Sequence, residues 1–202
     1  MDSFEFLVSF ISVFLALSIT KFVEAVARLW HERQRVNFFN LYAISGALLL
    51  LLQIQYWWGN YEHVTALGDL CFFGYLIYLF PVVIFIMTVE TFIPSSLWES
   101  TNGEIKLERY YWENNRYFFS LIIALLIFEA IADILIARTG FKSPTLSYEA
   151  MLFRVFGIAL MTLLVWKNDD KYKKIHFWIL IVSGVLLLFF IFTQSLHLEE
   201  FN

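Results

Sequence analysis

Asp69, Glu129, Asp133 and Arg154 each interrupt a long apolar run, and they are the residues of this chain best suited to hold or move charge. An ionised side chain in hydrocarbon is costly unless it is paired or faces water, so such residues are functional candidates. Arg154 presents a planar fork that can grip one carboxylate through two parallel hydrogen bonds. It cannot neutralise three. If all four groups face one space, then either a carboxyl carries a proton, because desolvation and like-charge repulsion favour the neutral acid, or water and a cation complete the balance. Both arrangements suit a path or gate for protons, cations or a small polar solute. Gln53 and Gln55, on another apolar run, supply amide donors and acceptors at a similar depth.

A weaker set lies toward the opposite boundary. Lys21, Glu24 and Glu90 fall within about two helical turns of it, close enough for long side chains to snorkel. Lys21 and Glu24 read most simply as a local i to i+3 pair. Ser12, Ala16 and Thr20 recur every fourth residue on the same run, a small-residue stripe that lets another helix approach closely.

The elements that must position these groups follow from composition. The chain has 202 residues, 60% hydrophobic and 20% aromatic, and a mean hydropathy of +0.68, more apolar surface than a water-soluble domain can expose. The expected fold is all-α: a polytopic integral membrane protein forming one transmembrane domain over 1–202. Runs of about 20 apolar residues match a hydrocarbon core of roughly 30 Å, and six are found, at 4–29, 38–58, 64–93, 117–137, 148–166 and 175–196. They predict a bundle of about six transmembrane helices. Pro81 predicts a kink in the third run, and Pro94 its end. In the third loop, Asn102-Gly103 marks a turn and Thr101 with Glu104 has capping-box spacing, which predicts a short interfacial helix running on into the fourth span.

Loop charge gives the orientation. Arg28, Arg33 and Arg35 flank the first loop, Lys106, Arg109 and Arg116 the third, and Lys167, Lys171, Lys173 and Lys174 the fifth, whereas the other side has only Arg138 and Lys142. This places both termini outside and the three basic loops in the cytoplasm. All seven tryptophans fall near run ends, at headgroup level. Ala25-Val26-Ala27 resembles a signal-peptidase site, but Asp2 and Glu5 stand where a secretory signal needs basic residues, so the first run is read as a retained span. With this topology Asp69, Asp133 and Arg154 all lie about 8 to 9 Å below the outer boundary, and Glu129 lies one turn deeper on the face that carries Asp133.

Other chemistries find no support. The four histidines lie near run ends or in loops rather than as an intramembrane haem pair. No metalloprotease, nucleophile-elbow or phosphate-loop motif occurs, and Cys71 stands alone in an apolar run. No cofactor or metal is expected, and an enzyme is not favoured. The net charge of −4 includes no polybasic strip for nucleic acid. The expected partners are the lipid bilayer, a second copy of the chain, or a cytoplasmic protein. The leading expectation is a channel or transporter component working through a polar outer-leaflet cavity, in a bacterial inner membrane. The alternative is a membrane scaffold or effector subunit that binds a protein through its cytoplasmic loops, with the charged layers serving packing.

Overall fold

The structure is a computed structural model that describes residues 3–66, 72–94, 104–138 and 148–199. These residues form an all-α fold of six helices: α1 (Ser3–His31), α2 (Asn40–Ala66), α3 (Phe72–Phe92), α4 (Leu107–Arg138), α5 (Tyr148–Trp166) and α6 (Lys173–Glu199). In apolar segments the backbone must satisfy its own hydrogen bonds, which favours helix whatever the residue-level propensities. Four helices are long and apolar enough to cross a membrane, over Leu7–His31, Asn40–Gly59, Leu107–Ile134 and Asp170–Thr193, while Tyr78–Phe92 and Met151–Trp166 are shorter apolar stretches.

Helix packing closes a ring. Each neighbour pair makes contact in the order α1, α3, α4, α5, α6, α2 and back to α1. α2 also reaches across to α3 and α4, so its inward face fills the centre with Tyr42, Leu49, Gln53 and Tyr56, all buried. Around the outside, Val13, Phe80, Val155 and Phe189 are each more than half exposed, giving the ring an apolar outer surface.

Two sequence expectations are revised. The third run was expected to begin at Val64, but α2 continues through Ala66 and α3 begins at Phe72. Continuous hydropathy does not reveal where one helix hands over to the next. The helix expected to open in the third loop does run on into the fourth span, as one 32-residue helix beginning at Leu107. Leu107 and Tyr111 are buried, so the first turns of α4 pack into the bundle instead of lying along its surface. Thr101 lies outside the described residues, and Glu104 pairs with Lys106 at 3.6 Å. Pro81 lies within α3, and the helix ends at Phe92, ahead of Pro94, as the sequence predicts.

Ahead of α4 is an unexpected clip. β1 (Val36–Asn37) pairs in parallel with β2 (Ile105–Lys106), Val36 opposite Ile105 and Asn37 opposite Lys106, and Ile105 N–H also donates to Arg35 O at 2.8 Å. Two residues are too few to display strand periodicity in a sequence. The clip ties the first loop to the third, and Lys173 Nζ, 2.8 Å from Glu108 Oε1, ties the start of α6 to the same end of the bundle. Between α5 and α6, Asp169 caps a 3-10 turn, Asp170–Tyr172. Its hydrogen bonds to Lys171 and Asp170 hold its carboxyl down to about 2.

Gly46 lets α2 approach α3. A Cβ at this position would lie 2.7 Å from the Phe92 ring, itself buried and stacked on Tyr42 with ring centroids 4.2 Å apart. Gly46→Leu is expected to destabilise the fold by about 1–3 kcal/mol through overpacking. Gly184→Leu, at a position with nothing within 4 Å, serves as control in the same thermal unfolding measurement. Equal melting of the two variants would contradict the close approach.

Candidate functional site

One turn of α4 carries both acids of the candidate site. Glu129 and Asp133 are spaced i to i+4 and therefore lie on one helix face, which meets α5. Arg154 on α5 binds both: Nη1 donates to Asp133 Oδ2, and Nε donates to Glu129 Oε2 at 3.4 Å. The helices can approach closely here because Gly157, one turn along α5, has only a hydrogen where a Cβ would come within 3.2 Å of Leu126.

The two carboxylates are not equivalent. The side chains of Arg154 and Asp133 are each 10% exposed, whereas Glu129 is 24% exposed and at the limit of hydrogen-bond length. Asp133 with Arg154 is a buried, hydrogen-bonded ion pair. Glu129 is a second acid held on the remaining edge of the same guanidinium. Removing one partner from a buried pair leaves an uncompensated charge, so Asp133 and Arg154 depend on each other structurally.

α3 adds a group that sequence reasoning missed. Tyr78 lies within electrostatic reach of Asp133, and its hydroxyl is buried without a hydrogen-bond partner. Its carbonyl accepts a hydrogen bond from Tyr56 Oη of α2 at 2.7 Å. In the sequence these tyrosines look like further aromatics in an aromatic-rich chain. Only the packing of α3 against α4 brings Tyr78 toward Asp133.

The remaining candidates disperse. Gln53 is fully buried, yet neither atom of its amide finds a partner, so no hydrogen bond joins it to Arg154. Gln55 is half-buried and lies about 200° around α2 from Gln53. Asp69 falls outside the described residues, as does Cys71. In the second set, Lys21 pairs across helices with Glu90 of α3, while Glu24 pairs with Arg28 at 3.2 Å. This corrects the expected Lys21–Glu24 contact: Arg28, at i+4, takes Glu24 and leaves Lys21 free to reach α3. Among the described residues, no three His, Cys, Asp or Glu side chains converge as metal ligands would.

His176 lies in the first turn of α6, near the run end as the sequence indicates, and is fully buried at the clip end of the bundle. Nε2 lies 3.1 Å from Lys167 O and Nδ1 lies 2.8 Å from Tyr111 Oη. A carbonyl can only accept, so Nε2 carries the hydrogen and Nδ1 accepts from the tyrosine hydroxyl. In the neutral ring these contacts define the tautomer, and Trp112 packs edge-on against it with centroids 4.9 Å apart. His176 thus joins α6, α4 and the end of α5. No protein-family model matches this chain, and no curated protein or solved structure matches it.

Proposed function

We propose that this chain is a small multi-pass membrane protein that passes or gates protons or a small cation at the outer triad, with Glu129 as the exchanging group and Asp133–Arg154 as its fixed support. The reading takes all six helices as spans, both termini outside, and a bacterial inner membrane as the setting. The observation that carries it is the unequal sharing of Arg154. One guanidinium and two ionised acids leave one negative charge in weakly polar surroundings, which is costly. A proton or cation arriving at Glu129 removes that charge and loosens the Glu129 contact with Nε. Arg154 then remains neutralised by Asp133. Loss of the cation restores the attraction and draws Glu129 back, giving the site two states that differ by one bound charge.

The test is flux into proteoliposomes containing the purified full chain, driven by a proton or monovalent cation gradient. Glu129→Gln is expected to abolish flux and Glu129→Asp to retain part of it. Flux unchanged by both Glu129→Gln and Asp133→Asn would remove the triad from the mechanism.

One observation favours a second reading, a scaffold that binds a cytoplasmic protein. The β1–β2 clip and the Lys173–Glu108 pair hold the three basic loops together at one end, where Trp30 and Trp166 are more than 70% exposed. Here Arg109→Glu would abolish capture of the partner, and Glu129→Gln would leave it unchanged.

A further inference from the structure

Between α3 and α4, toward the clip end, an open groove of about 770 Å³ combines Glu90, Glu113, Tyr110 and Asn114 with the apolar side chains of Met87 and Leu121. From Tyr110 to Leu121 it runs along twelve residues of α4, a rise of about 16 Å, which is close to one leaflet of a hydrocarbon core roughly 30 Å thick. Its two carboxylates stand toward the clip end and Met87, Tyr117 and Leu121 deeper, the order in which a phospholipid presents headgroup and acyl chain.

The polar end favours a cation. α3 terminates there at Phe92 with no basic residue in its last turn, so the partial negative charge of its C-terminal carbonyls is not offset within the helix. Thr91 O, and Ile93 O just past the helix, share the Tyr110 hydroxyl as donor at 2.8 and 3.0 Å, and the Glu90 and Glu113 carboxylates add full charges. Their partners are Lys21 and Arg109, in pairs whose side chains are all more than half exposed; pairs of this kind exchange partners at little cost. Behind the wall formed by Thr91, Tyr110 and Asn114 is a chamber of about 10 Å³ that shares these three residues with the groove. The Asn115 side chain lines it, 3% exposed, with neither amide atom hydrogen-bonded. Asn115 thus holds its unused donors and acceptor in the chamber, one layer behind the groove.

We infer that this groove binds a phospholipid of the cytoplasmic leaflet through a primary-ammonium headgroup, phosphatidylethanolamine. The ammonium supplies three N–H donors to Glu113, Glu90 and the α3 carbonyls. Its phosphate takes over Lys21 and Arg109 as the carboxylates turn to the amine. A choline headgroup has no N–H to donate, and phosphatidylglycerol brings no cation. The inference rests on the membrane reading but not on the triad, so proteoliposome flux and lipid selectivity can fail separately.

The experiment is native mass spectrometry of the full chain released from nanodiscs containing equal parts of phosphatidylethanolamine, phosphatidylcholine and phosphatidylglycerol. Wild type is expected to retain phosphatidylethanolamine about fivefold over either other lipid, the preference given by roughly 1 kcal/mol. Glu90→Gln/Glu113→Gln should remove the preference, and Met87→Trp, which fills the groove without changing charge, should remove it as well. Circular dichroism checks each variant, so that misfolding of the double variant leaves Met87→Trp to decide. Equal retention of the three lipids by wild type, or a preference that survives in a folded variant of either kind, would overturn the proposal.

Discussion

Arg154→Leu is expected to cost about 3–5 kcal/mol of folding stability, because it strands the Asp133 carboxylate in a buried site. Asp133 is 10% exposed and the guanidinium is its hydrogen-bond donor. The companion variant Arg154→Leu/Asp133→Leu should recover most of the loss, since replacing a buried pair by apolar side chains is often neutral or stabilising. Denaturant or thermal unfolding of the purified variants in detergent, followed by far-ultraviolet circular dichroism, measures both. A loss below about 0.5 kcal/mol for the single variant, the size of an exposed pair's contribution, would show that water reaches Asp133 and that the pair is not buried.

His176→Phe is expected to cost about 2–4 kcal/mol. Phenylalanine fills much of the same space, so the penalty comes from the Tyr111 hydroxyl and the Lys167 carbonyl, each left without its partner at about 1–3 kcal/mol. Adding Tyr111→Phe should return part of this, because the stranded hydroxyl disappears with its partner. Additive effects in the double variant would separate the two residues and contradict the hydrogen bond inferred between them. No change in flux is part of this expectation, since His176 acts on the junction of α4, α5 and α6.

The helices were legible because hydrophobic run length is a strong signal, and the triad was legible because charges inside such runs are rare. Glu129 and Asp133 on one α4 face followed from the i to i+4 spacing, and their meeting with Arg154 followed from depth along neighbouring helices. Depth alone, however, overestimated the membership. Gln53 lies near the right level, yet the ring order of the helices directs α2 toward the centre and gives its amide no bond to the triad. Tyr78 was missed for the converse reason: its importance lies in which helix packs beside Asp133, and helix adjacency is not written in hydropathy. The Lys21–Glu24 reading failed through competition, since Arg28 offers Glu24 an i to i+4 partner. The β1–β2 clip and the burial of His176 were out of reach because each depends on contacts between segments far apart in the chain.

The central claim is that Glu129 exchanges its charge while Asp133 and Arg154 stay paired. Infrared difference spectroscopy of the reconstituted protein across a pH titration tests this most directly, by following the carbonyl stretch of a protonated carboxylic acid. The account predicts a pH-dependent band in the wild type that disappears in Glu129→Gln. An identical band in wild type and Glu129→Gln, or no carboxylic acid band in the wild type at any pH where it remains folded, would contradict it.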